Sequence, residues 1–126
     1  MSLPLPILTS IETIKDFQTI LQNSPGLIIV KFGAEWCSPC KKIEPLVQEW
    51  FSRMPSTVQC CLIDVDENFE LYGYLKNKKM VSGIPAILCY ARGNTNYIPD
   101  DSTAGCDVGQ TNAFFSRCIQ RLQSIE

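Results

Sequence analysis

Two cysteines, Cys37 and Cys40, stand where an apolar run gives way to a helical pattern, and this juncture restricts the chain more than any other feature. Leu27-Ile-Ile-Val30 leads in as a buried strand, and Lys41-Lys-Ile-Glu-Pro-Leu-Val-Gln-Glu-Trp50 follows with apolar residues at helical spacing. The first turn of a helix carries unpaired backbone N–H groups and the positive end of its dipole. A thiol placed there is more acidic than a free one, and only its thiolate attacks a disulfide. A second thiol three residues on, one helical turn in and expected to be the less accessible of the two, is within reach of the mixed disulfide that forms. Such a pair exchanges two electrons between dithiol and disulfide.

The same spacing also occurs in zinc sites, but a structural zinc site needs two further ligands. The sequence contains no histidine, and its other five cysteines form no second pair at this spacing. Cys60 and Cys61 are adjacent, so on a strand they point to opposite faces. The strand-to-helix setting favours redox chemistry, with no metal and no bound cofactor expected.

Trp36-Cys37-Ser38-Pro39-Cys40-Lys41 resembles the active-site signature of the thioredoxin family, with Ser38 where a glycine is usual. Further landmarks follow in order. Pro45 resembles the proline that bends the family's active-site helix, Gly83-Ile84-Pro85-Ala86 the loop whose cis-proline faces the cysteines, and Gly105 the glycine near the site after the last strand. The resemblance covers roughly residues 7–122. It implies an α/β fold with a central mixed sheet flanked by helices. It also implies that Cys37 attacks and Cys40 resolves, with Trp36, Pro39, Ile84, Pro85 and Gly105 supporting the site or contacting an extended substrate segment.

The sequence departs from the family at three positions. Lys31 stands where a buried aspartate is usual, Leu62 where a lysine is frequent on the neighbouring strand, and Gly33 where an aromatic is common. Lys31 is therefore expected to bury, neutralise or snorkel its amine, and to tune the Cys40 thiol if it lies beneath the active-site helix. Asp64 and Asp66 are expected to end a strand and charge a helix start rather than act as a catalytic pair. The remaining cysteines are expected to be mostly small apolar fillers.

The 126 residues suit one domain, residues 1–126, with residues 1–6 as an extended lead-in. A hydrophobic content of 45% is enough for a core. A net charge of −2 gives no reason to expect nucleic acid or an anionic membrane as partner, and no apolar run is long enough to span a bilayer. Seven cysteines are an odd number rather than a disulfide framework, and the first residues lack the pattern of a secretory signal, so a reducing, cytoplasmic setting is expected.

Pattern reading gives the order β-α-β-α-β-α-β-β-α. The strands are a short edge strand at Ile7-Leu8, then Leu27–Phe32, Val58–Val65, Ile84–Ala91 and a last one near 103–106. The helices are one opened by a capping box at Thr9-x-x-Glu12, one from Cys37 to Arg53, one from Asp66 that buries Phe69, Leu71, Tyr72 and Leu75, and one over Thr111–Glu126. The functional expectation is a monomeric thiol–disulfide oxidoreductase in electron transport. It would reduce protein disulfides and draw electrons from a thioredoxin reductase or from glutathione. The absence of histidine between the cysteines favours a reductant over an oxidase or isomerase. The alternative is a binding or assembly protein on the same scaffold, its dithiol vestigial or regulatory.

Overall fold

The computed structural model describes residues 3–126. Four strands form one sheet in the order β2-β1-β3-β4: β1 Leu27–Gly33, β2 Val58–Asp64, β3 Ala86–Ala91 and β4 Asp101–Ala104. β1 pairs parallel with β2 and antiparallel with β3, and β3 pairs antiparallel with β4, so the sheet is mixed. The helices are α1 Ile14–Gln22, α2 Ser38–Ser52, α3 Phe69–Asn77 and α4 Val108–Ile125. The lead-in is seen from Leu3 onward without regular structure, and residues 1 and 2 lie outside the described residues.

The strands alternate in what they bury, because successive side chains leave opposite faces. Ile28, Val30 and Phe32 of β1 pack with Phe17 and Leu21 of α1 and with Leu71 and Leu75 of α3. Leu27 and Ile29 pack on the other face with Ile43 and Val47 of α2 and with Phe114, Phe115 and Cys118 of α4. Phe114 and Phe115 are fully buried, each contributing on the order of 2–3 kcal/mol by removal from water. β1 is thus covered on both faces and flanked on both edges, which explains its unbroken apolar run.

Several expected boundaries move. The Thr9-x-x-Glu12 capping box does not open α1. Thr13 does, accepting a hydrogen bond from Asp16 N at 3.0 Å, while Ile11 N is anchored to Asn68 Oδ1 at 2.9 Å. The edge strand at Ile7-Leu8 reduces to one parallel bridge between Leu8 and Cys61. Phe69 is 75% exposed, because it begins α3 on the face opposite Leu71 and Leu75. The last strand lies at 101–104, and α4 begins three residues before Thr111, capped by Asp107 through Gln110 N at 2.8 Å. The D-x-x-Q spacing at 107–110 carries that signal.

The long β3–β4 connection is held from within. Tyr90 Oη donates to Tyr97 O at 2.7 Å, and Asn94 Nδ2 donates to Ile98 O and to Asp100 Oδ2 at 2.9 Å each. Asp100 Oδ2 also accepts from Ala91 N at 2.7 Å.

Candidate redox site

Cys37 is the N-cap of α2, and its sulfur accepts a hydrogen bond from Cys40 N at 3.2 Å. Ser38 and Pro39 occupy the first two helical positions, where a proline's missing N–H costs no helical bond and its fixed φ suits the turn. Further along, α2 continues through Pro45, which leaves the Lys41 carbonyl without its usual donor. The two cysteines are joined in a disulfide with their Cα atoms 5.2 Å apart.

The sequence led one to expect a more accessible Cys37. In the disulfide form the two residues are 4% and 3% exposed, so exposure does not separate them. Their surroundings do. Cys37 Sγ sits at the helix start, 3.8 Å from the Ile84 carbonyl oxygen, a contact that becomes a donor–acceptor pair when Cys37 is a thiol. Cys40 Sγ faces Gly33 instead: a Cβ built on Gly33 would lie 3.5 Å from it.

The Ile84–Pro85 peptide bond is cis, Pro85 is buried, and Pro85 O accepts from Gly105 N at 2.9 Å. Gly105 has φ +86°, a conformation that favours glycine. Cys37, Cys40, Ile84, Pro85 and Gly105, far apart in sequence, are therefore linked through consecutive contacts. Pro39 is exposed beside the disulfide.

Trp36 is 69% exposed, yet its indole Nε1 donates to Asp66 Oδ2 at 2.7 Å. Asp64 Oδ1 accepts from Asp66 N at 2.8 Å and from Glu67 N at 3.3 Å, shaping the turn that presents Asp66. The sequence marks Asp66 only as a helix-start charge, and no local pattern signals this contact.

Lys31 is 5% exposed in the central strand. Burial pulls its pKa below the usual lysine value, and the Glu44 carboxylate pulls it back up. Leu62 is its partner on β2 and Ile87 its partner on β3. Four of the five remaining cysteines are buried, and Cys106 is partly exposed. Burial pushes the Cys60 thiol up to about 12 and raises Cys61 further. Cys118 is raised first by its hydrogen bond with Cys89 and then by burial. Among the described residues, no helix is long and apolar enough to cross a membrane.

Residues 9–110 match the family model described as Thioredoxin. The chain belongs to the thioredoxin family. It is 38% identical over 72 residues to a thioredoxin of Bacillus subtilis, covering 57% of this chain and 65% of that protein. It is 31% identical over 81 residues to a thioredoxin of Rickettsia bellii, covering 64% of this chain and 73% of that one. The solved structure of Trichomonas vaginalis thioredoxin superposes with a TM-score of 0.70 at 26% identity, covering 90% of this chain and 97% of that one. Family membership and the joined Cys37–Cys40 pair support thiol–disulfide oxidoreductase chemistry.

Proposed function

We propose that this thioredoxin-family chain reduces disulfides in other proteins. The carrying observation is the Cys37–Cys40 disulfide at the start of α2, with Cys37 beside the Ile84 carbonyl at the cis-proline loop. The Cys37 thiolate attacks a substrate sulfur, the resulting mixed disulfide is attacked by Cys40, and the substrate leaves reduced. The backbone groups of Ile84, just before Pro85, are offered to an extended substrate segment irrespective of its side chains. Trp36 and Gly105 border that segment, and Pro39 shapes the turn carrying the thiols. A thioredoxin reductase or the glutathione pool returns the two electrons, and the chain works as a monomer in the cytoplasm.

The test is reduction of insulin disulfides with a small dithiol as electron source. The wild type is expected to turn over, Cys37→Ser to be inactive, and Cys40→Ser to accumulate mixed disulfides. An inactive wild type would point to the binding or assembly role instead.

A further inference from the structure

Lys31 is the buried charged group that this reading leaves unused. The alternation of β1 puts Leu27 and Ile29 against α2 and α4, and the same alternation puts Lys31 on that face. Its cross-strand neighbours Leu62 and Ile87 are both apolar, and β1 lies inside the sheet, so no strand edge is open to the amine. What remains is a cleft of about 280 Å³ behind the disulfide, lined by Lys31, Gly33, Cys40 and Glu44. Lys31 Cε and Cys40 Sγ both lie within 4 Å of the point where a Gly33 Cβ would stand. Glu44 follows Cys40 by four residues on α2, hence on the same helix face. Glu35, Lys41 and Asp64 complete the charged lining, and the residues that flank Lys31 on β2 and β3 carry no charge.

We propose that Lys31 is a positioning residue for the resolving half of the reaction: its ammonium, reaching into the cleft behind the pair, favours the thiolate of Cys40, and Glu44 moderates that field. The proposal deepens the reductase reading and rests on it. In this half, Cys40 first gives its proton to water in the cleft. Its thiolate then attacks the Cys37 sulfur of the mixed disulfide. The Cys37–Cys40 bond forms, the bond from Cys37 to the substrate sulfur breaks, and that sulfur leaves with the electron pair and takes a proton from water. A cation beside Cys40 raises the fraction ready to attack. It also stabilises the reduced pair, which makes the disulfide more oxidising.

The experiment titrates Cys40 in a Cys37→Ser chain, following the pH dependence of its alkylation by iodoacetamide at the Cys40 peptide. The same chain is then measured with Lys31→Met and with Glu44→Gln. Lys31→Met is expected to raise the Cys40 midpoint by about one pH unit, and Glu44→Gln to lower it by less. With both cysteines present, equilibration against glutathione should show Lys31→Met as the more reducing pair. A midpoint that stays in place in Lys31→Met, or that fails to fall in Glu44→Gln, overturns the proposal. Glu44 is partly exposed on α2, so its variant tests the field at Cys40 even where Lys31→Met does not fold. Failure of the reductase reading would show separately, as a wild type unable to reduce insulin while the Cys40 shifts persist.

Discussion

The indole Nε1 of Trp36 donates a 2.7 Å hydrogen bond to Asp66, across 30 residues of sequence, while most of the ring stays in solvent. An exposed aromatic side chain would otherwise sample several rotamers. The bond ties the indole to the Asp66 turn, on the residue that precedes Cys37. Asp66→Ala is expected to slow insulin reduction several-fold, as the loss of about 1 kcal/mol of orientation implies. Reduction of a small, unstructured disulfide should change little. Equal loss with both substrates would show that the bond supports the thiols and not the docking surface.

Two glycines should answer oppositely to the same substitution. A Cβ on Gly26 would meet Thr57 O at 2.6 Å, a contact that side chains do not tolerate. A Cβ on Gly33 would meet its neighbours at 3.5 Å or more and lies in an ordinary strand. Gly26→Ala is expected to destabilise by about 2 kcal/mol. Gly33→Ala should be neutral or stabilise by about 0.5 kcal/mol, because it restricts the unfolded chain. Urea denaturation of both variants is the measurement, and equal effects would contradict the packing described.

The carboxylate of Asp101 is gripped at 2.7 and 3.1 Å by Arg117. Burial alone would raise its pKa, but the Arg117 hydrogen bond, the Ser102 N–H and the charges of Arg117 and Arg121 together hold it below the usual value. A lowered folded-state pKa stabilises the protein above the unfolded value of about 3.9, and that stability fades as pH falls through the folded value. Arg117 is half exposed, so solvent screening limits the pair to about 1 kcal/mol. Asp101→Asn should be less stable than wild type by this amount at neutral pH. The gap should close below about pH 4. A gap independent of pH would assign it to packing.

In the oxidised protein, Cys106 should be the residue that a thiol reagent modifies at neutral pH. Cys60, Cys61, Cys89 and Cys118 are buried; burial disfavours thiolate at Cys60 and Cys61, and the hydrogen bond with Cys89 followed by burial does so at Cys118. Mass mapping after brief alkylation checks this, and full labelling should require denaturant. Early labelling of Cys118 would mean that α4 opens readily from the sheet.

The strand-to-helix setting of Cys37 and Cys40 was legible because two periodicities meet there, and the cis-proline loop was legible by resemblance. Lys31 was legible as an anomaly, but its surroundings were not. That Leu62 and Ile87 flank it depends on register, and that Glu44 shares its cleft depends on how α2 lies over the sheet. Asp66 shows the same limit, since its contact joins two loops that no pattern connects. The misplaced start of α1 has a local cause: Thr9 and Thr13 both precede apolar residues at helical spacing, and the anchoring of Ile11 N on Asn68 keeps the earlier segment from coiling.

The single bridge at Leu8 carries a consequence for crowded solutions. Leu8 N donates to Cys60 O and Leu62 N donates to Leu8 O, so the outer rim of β2 is partly occupied by the chain's own lead-in. At the opposite rim β4 has only four residues, and Asp101 turns its carboxylate back onto Ser102 N. Open strand rims are templates for runaway pairing between molecules, and short, charged or covered rims resist it. Trimming the chain before Pro6 leaves this guard intact, whereas removal through Leu8 exposes β2 and should turn a dispersed protein into one that aggregates on concentration.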